Sequence, residues 1–132
     1  SLLNGPIAVA HNGNIANQKS LRKTLQNKGA IFQGSNDTEI LLHLLAQHPS
    51  SDLLLALQDS FDQIEGAYSF VILSHQALIA ARDPLGFRPL VLGKKKETSG
   101  KESFVVASES CAFDLIGAEY LREVEPGEIL LI

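Results

Sequence analysis

The segment His11-Asn12-Gly13-Asn14 follows a short apolar run, Ile7 to Ala10. An Asn side-chain amide and a Gly backbone N–H held at the end of a buried strand can point at one spot. That is how an oxyanion hole for acyl transfer is built, and one such donor is commonly worth about a hundred- to thousand-fold in rate. Gly also lets the backbone approach a reacting atom with no side chain in the way. The same residues could form an Asn-Gly hairpin turn, although a helical pattern rather than a paired strand follows. Asp37 has two readings as well. It can cap the helix that begins there, worth about 1 kcal/mol, or its carboxylate can hold a cationic amino group, and the two roles are compatible.

Other candidates are weaker. The histidines, His11, His43, His48 and His75, show no i, i+4 pair, and no second cysteine exists to complete a zinc set, so no metal site is expected. Cys111 is the one thiol. At a helix start it could be an activated nucleophile, while its small and apolar neighbours favour a buried filler. No GxGxxG or GxxxxGK run occurs, so no nucleotide cradle is expected. Lys94 to Glu102 (KKKETSGKE) reads as a solvated hairpin loop without interleaved aromatics.

These residues must be positioned by elements that periodicity suggests. The run at Ile7–Ala10 reads as a strand. Asn17 opens a helix to about Lys28, with Leu21 and Leu25 one turn apart. A second helix starts at Asp37, its apolar face Ile40, Leu41, Leu44 and Leu45. A third follows Pro49-Ser50-Ser51, carrying Leu54, Leu57, Phe61 and Ile64. Strands are then expected at Ala67–Leu73, Ala77–Arg82, Arg88–Leu92, Phe104–Ala107, Tyr120–Val124 and Glu128–Ile132, with a helical turn from Ser110 to Gly117. Helices first, then antiparallel strands, suggests an α+β or layered domain.

Composition bounds the function. The chain has 132 residues, 45% hydrophobic and 20% charged, with a formal net charge of −4. That argues for one folded domain and against a nucleic-acid or anionic-membrane surface, which needs a basic excess. A single Cys forbids an intrachain disulfide and fits a reducing, cytoplasmic compartment. No apolar run is long enough to span a membrane.

Read together, the segments resemble one family. His11-Asn12-Gly13, then Leu21-Arg22-x-x-Leu25, then Asp37-Thr38-Glu39 are similar in order and spacing to the glutaminase domain of the class II, N-terminal-nucleophile amidotransferases. Within that family, EGAYSFVIL, AARDPLGFRPLVLG and VVASESCAFDLIGAEYLREVEPGEI resemble the amidophosphoribosyltransferases. The resemblance implies a partial four-layer αββα sandwich with antiparallel sheets. It implies hydrolysis of glutamine, with the ammonia passed to a phosphoribosyltransferase domain of the same chain. There it makes 5-phosphoribosylamine from phosphoribosyl pyrophosphate, the first step of de novo purine synthesis. By resemblance, Asn12 and Gly13 form the oxyanion hole and Asp37 takes the α-amino group of glutamine.

Departures from the family pattern shape the expectation further. The family's nucleophile is an N-terminal cysteine whose α-amino group serves as base. Residue 1 here is Ser, and only ten positions separate it from His11, too few for the strands that intervene in the family. Cys111 matches an ordinary family position. The arginine that binds the substrate α-carboxylate is also missing. Residues 1–132 are therefore expected to be the C-terminal part of a glutamine amidotransferase type 2 domain, without its beginning or its phosphoribosyltransferase domain, and inactive alone. The parent is expected to be a homo-oligomer using Mg2+ with phosphoribosyl pyrophosphate. Some relatives carry an iron–sulfur cluster, whose ligands one Cys cannot supply. Two alternatives are another class II amidotransferase and a non-catalytic glutamine-binding module.

Overall fold

A computed structural model describes residues 5–132; Ser1 lies outside the described residues. The element order is β1 (Ala8–Ile15), α1 (Gln18–Asn27), α2 (Asp37–Gln47), α3 (Leu53–Gln63), β2 (Gly66–Leu73), β3 (Leu78–Arg82), β4 (Val91–Lys96), β5 (Glu102–Ala107), α4 (Cys111–Ile116), β6 (Glu119–Glu123) and β7 (Ile129–Leu131). Two antiparallel sheets form, ordered β1-β2-β3-β7 and β5-β4-β6.

Alternation along β2 and β3 builds the layers. Tyr68, Phe70, Ile72, Ile79 and Ala81 join Leu21, Leu25, Ile40, Leu41, Leu45, Leu57 and Phe61 in a core between the first sheet and α1–α3. The intervening Val71 and Ala80 turn to the opposite face, where they meet Val106 of β5, Leu90, Val124 and Leu130. On the far side of the second sheet, Phe113 of α4 seats against Gly93, where a Cβ would stand 2.8 Å from its ring. The order is helices, sheet, sheet, helix, as the α+β sandwich expectation requires.

The caps correct the sequence reading in detail. Asn36, not Asp37, caps α2, its side chain accepting from Thr38 N at 3.0 Å. Asp37 is the first helical residue. Asn17 precedes α1 but makes no capping bond; its amide donates to Gln63 O (2.8 Å) and its Oδ1 accepts from Glu65 N (3.0 Å). It thus ties the start of α1 to the turn before β2. Ser110 likewise makes no side-chain capping bond. Asp52 caps α3 through Leu54 N and Leu55 N. Lys94, Lys95 and Lys96 lie in β4 rather than in the hairpin loop, which shrinks to residues 97–101.

Two charged residues hold the segment after β3. Asp83 is fully buried and accepts from Tyr68 N (3.3 Å), Phe87 N (3.0 Å) and Arg88 N (3.2 Å). Burial alone would raise its carboxyl pKa; these backbone N–H groups, with that of Leu85, hold it below the ordinary value instead. Arg82 donates to Arg88 O, Val124 O and Gly86 O, so it bridges from β3 to the chain leaving β6. Arg122 and Glu128 pair through two 2.8 Å contacts across the turn that carries the chain from the second sheet back to the first. Replacing Asp83 by Ala orphans several buried donors, and is expected to destabilise the protein by about 3 kcal/mol. Urea denaturation checks this; a loss under about 1 kcal/mol would show that the loop holds without the carboxylate.

Candidate functional site

His11-Asn12-Gly13-Asn14 is not a turn. It lies inside β1, paired residue by residue with β2: His11 with Phe70, Asn12 with Ser69, Gly13 with Tyr68 and Asn14 with Ala67. Asn and Gly are poor strand formers, so pairing, not propensity, decides the conformation. Gly13 has φ 127°, and a Cβ there would collide with the Ala67 carbonyl oxygen; Gly66, φ 132°, stands against Asn14 O in the same way. Only glycine fits either position. The ladder beside Asn12 therefore leaves no room for a side chain at Gly13 or Gly66.

Among the described residues strand β1 is the edge of its sheet, and ladder parity fixes what that edge offers. Ala16 N–H donates inward to Glu65 O at 2.7 Å. Ile15 N–H donates outward, to Asp37 Oδ2 at 3.2 Å. Antiparallel residues alternate between facing the partner and facing away, so Gly13 N–H turns to the same outer edge as Ile15 N–H. Asp37 thus sits two residues along the edge from that donor. A carboxylate has further lone pairs beyond this one bond. Asn12 is exposed, and alternation puts its side chain on the face away from the helices. The three residues singled out by sequence come together at one end of β1.

His11 points the other way. Its ring stacks on Phe70 at 4.6 Å between centroids. Burial pushes its pKa down, nearby Arg88 pushes in the same direction, and Asp37 opposes both. Its buried Nε2 has no hydrogen-bond partner among the described residues. The ring is therefore a neutral spacer behind Asp37, not an acid or base facing solvent.

The other candidates do not join this group. Cys111 is exposed, which corrects the buried-filler reading. Its thiol donates to Glu109 Oε2 at 3.2 Å and its pKa is raised, chiefly by that hydrogen bond, so it is not an activated nucleophile either. His43 lies edge-on to Phe32 and His48 bonds Asp59 at 2.7 Å. Among the described residues no three His, Cys, Asp or Glu side chains gather as metal ligands, and no helix is long and apolar enough to cross a membrane.

Arg22 is the site-adjacent residue that sequence reasoning passed over. It donates to Gly34 O (2.9 Å) and Asn36 O (3.0 Å), in the loop that leads to Asp37. Its place in Leu21-Arg22-x-x-Leu25 was the available signal, since an Arg flanked by two buried leucines lies at the border of a helix's buried face.

The family model described as "Glutamine amidotransferase domain" matches residues 2–114. The chain belongs to the glutamine amidotransferase domain family. It is 47% identical over 129 residues to an amidophosphoribosyltransferase of Bacillus subtilis (strain 168), covering 98% of this chain and 26% of that protein. It is 49% identical over 127 residues to a chloroplastic amidophosphoribosyltransferase of Glycine max, covering 96% and 22%. A solved glutamine phosphoribosylpyrophosphate amidotransferase from B. subtilis, complexed with ADP and GMP, superposes with a TM-score of 0.92 at 48% identity, covering 100% of this chain and 28% of that one. The chain spans about a quarter of the length of the curated relatives it matches. The amidotransferase fold expected from sequence is present, with its helix-sheet-sheet-helix order.

His11 supplies a pH test. Its folded-state pKa is lowered from 6.5, so below that value the unfolded chain binds more protons and stability falls with falling pH. Between about pH 7.5 and pH 5, the denaturation midpoint of the wild type should drop more steeply than that of His11→Gln. Equal slopes would contradict a half-buried, neutral His11.

Proposed function

We propose that residues 1–132 are the glutaminase part of an amidophosphoribosyltransferase. In this reading glutamine is hydrolysed to glutamate and ammonia. The ammonia goes to a phosphoribosyltransferase domain of the same protein, which makes 5-phosphoribosylamine from phosphoribosyl pyrophosphate in the first step of de novo purine synthesis. The support is the identity to amidophosphoribosyltransferases across nearly the whole chain, together with the donor and carboxylate on the edge of β1.

That edge carries the chemistry. Two residues along a strand span about 7 Å, a length commensurate with glutamine from its side-chain amide to its α-amine. The amide oxygen would lie at Gly13 N–H and the Asn12 side chain, with the α-ammonium on Asp37. A cysteine thiolate outside these residues would attack the amide carbon. As the C–S bond forms, the carbonyl electron pair moves onto oxygen, where Asn12 and Gly13 stabilise it. Collapse of that intermediate breaks the C–N bond, and the cysteine's α-amino group, which took the thiol proton on attack, passes it to the leaving amine, which departs as ammonia. Water then releases glutamate from the thioester. Asp37 holds the substrate through both steps and takes no proton.

Cys111 is exposed with a raised pKa and does not serve as the nucleophile. In this reading the nucleophile lies in a longer protein, and glutamine turnover needs it. Neither Mg2+ nor an iron–sulfur cluster fits the described residues: Cys111 is the single thiol and no three candidate ligands gather. Both groups belong in this reading to the rest of the protein, the Mg2+ with phosphoribosyl pyrophosphate. In this reading the parent is a homo-oligomer, and a reducing, cytoplasmic compartment suits the unpaired thiol of Cys111.

In the full-length protein, Asn12→Ala should lower kcat for glutamine at least about a hundredfold with little change in KM, because the donor acts on charge that develops only in the transition state. Steady-state glutaminase assays give both constants. An unchanged kcat would reject the assigned role.

A further inference from the structure

The carboxylate of Asp37 can recognise an amine only if the loop before it is fixed, and that loop has little backbone support. Residues 31–35 make no backbone–backbone hydrogen bond among the described residues. Side chains hold the segment instead. Arg22 donates one guanidinium nitrogen to Gly34 O at 2.9 Å and another to Asn36 O at 3.0 Å. The guanidinium also lies 4.5 Å above the centre of the Phe32 ring, and Phe32 meets His43 of α2 edge-on at 4.6 Å. From the other side, Glu39 Oε2 accepts from Gln33 N at 2.9 Å.

We propose that Arg22 is a positioning residue for substrate recognition: by clamping the carbonyls of residues 34 and 36 it aims Asp37, and so sets the preference for a substrate bearing an α-amino group. The inference rests on the reading of Asp37 as the ammonium acceptor. Geometry separates Arg22 from ordinary loop packing. Asn36 O belongs to the peptide that Asp37 shares, so shifting that carbonyl rotates the first residue of α2. Asp37 in turn bonds the backbone of β1 at Ile15, which leaves its carboxylate small freedom to compensate. A planar, forked cation over an aromatic ring suits this task. Lysine keeps the charge but cannot reach both carbonyls while stacking.

The test compares two substrates in the full-length protein: glutamine, and 4-carbamoylbutanoate, which is glutamine without its α-amino group. Ammonia release is measured for wild type, Arg22→Ala, Arg22→Lys and Asp37→Asn. Loss of two charge-assisted hydrogen bonds in Arg22→Ala should raise KM for glutamine roughly tenfold. Its kcat should stay within about threefold of wild type, and its kcat/KM for the deaminated analogue should not change. The preference for glutamine then collapses in the same direction as in Asp37→Asn. Arg22→Lys should show the same collapse to a smaller degree, and serves if the Ala variant fails to fold. An equal loss on both substrates would make Arg22 merely structural and overturn the inference. So would an unchanged preference in both Arg22 variants while Asp37→Asn loses it. If Asp37→Asn itself keeps the preference, the amine-binding reading of Asp37 fails, and the role of Arg22 with it.

Discussion

The close approach of β1 and β2 at Gly13 and Gly66 is the constraint on which the site depends. A side chain at either position would strike the facing strand's backbone, so the ladder closes only with glycine at both. Closing it keeps Asn12 and Gly13 extended, despite their poor strand propensity. It also fixes the ladder's parity, which turns the Gly13 and Ile15 N–H groups to the free edge. The second of these donors bonds Asp37 at 3.2 Å, and the first is the one proposed to meet the substrate oxygen. One backbone constraint therefore sets the donor, the carboxylate and the distance between them.

The rest of the fold stiffens that edge. Phe70 and Tyr68 anchor β2 in the core beneath α2 and α3, and His11 stacks on Phe70 directly behind the edge. Asn17 ties α1 to the turn that enters β2. At the same end of the sheet, Asp83 takes the Tyr68 N–H and the amides of the following loop. The Asn17 and Asp83 contacts satisfy backbone groups with a side chain where no regular partner is available. The scaffold spends its polar side chains on holding loops, and its apolar ones on holding the sheet between two layers.

Much of this was legible in sequence, and the exceptions share a cause. The helices showed their apolar faces by spacing, and the order of helices before antiparallel strands suggested the sandwich. Asn36 and Asp37 are adjacent and equally able to cap, so periodicity could not say which does; the structure frees Asp37 by giving the cap to Asn36. His11 to Asn14 looked like the end of a strand because its residue types disfavour one, and only pairing with β2, more than fifty residues later, reveals otherwise. Lys94 to Lys96 carry no alternation, yet they pair with β5. The strands β6 and β7 flank one short turn but join different sheets, a non-local choice. Asn12, Gly13 and Asp37 were singled out by residue type, whereas Arg22 and Asp83 act on backbone carbonyls and amides that a sequence does not display.

The most direct measurement is a crystal structure of the full-length protein trapped with a glutamine analogue that alkylates the nucleophilic cysteine and leaves its carbonyl oxygen in place. The account predicts that oxygen within hydrogen-bond distance of Gly13 N–H and the Asn12 side-chain amide, with the analogue's α-ammonium on the Asp37 carboxylate. An analogue oriented with its ammonium away from Asp37, or with its oxygen bonded to other donors, would contradict it.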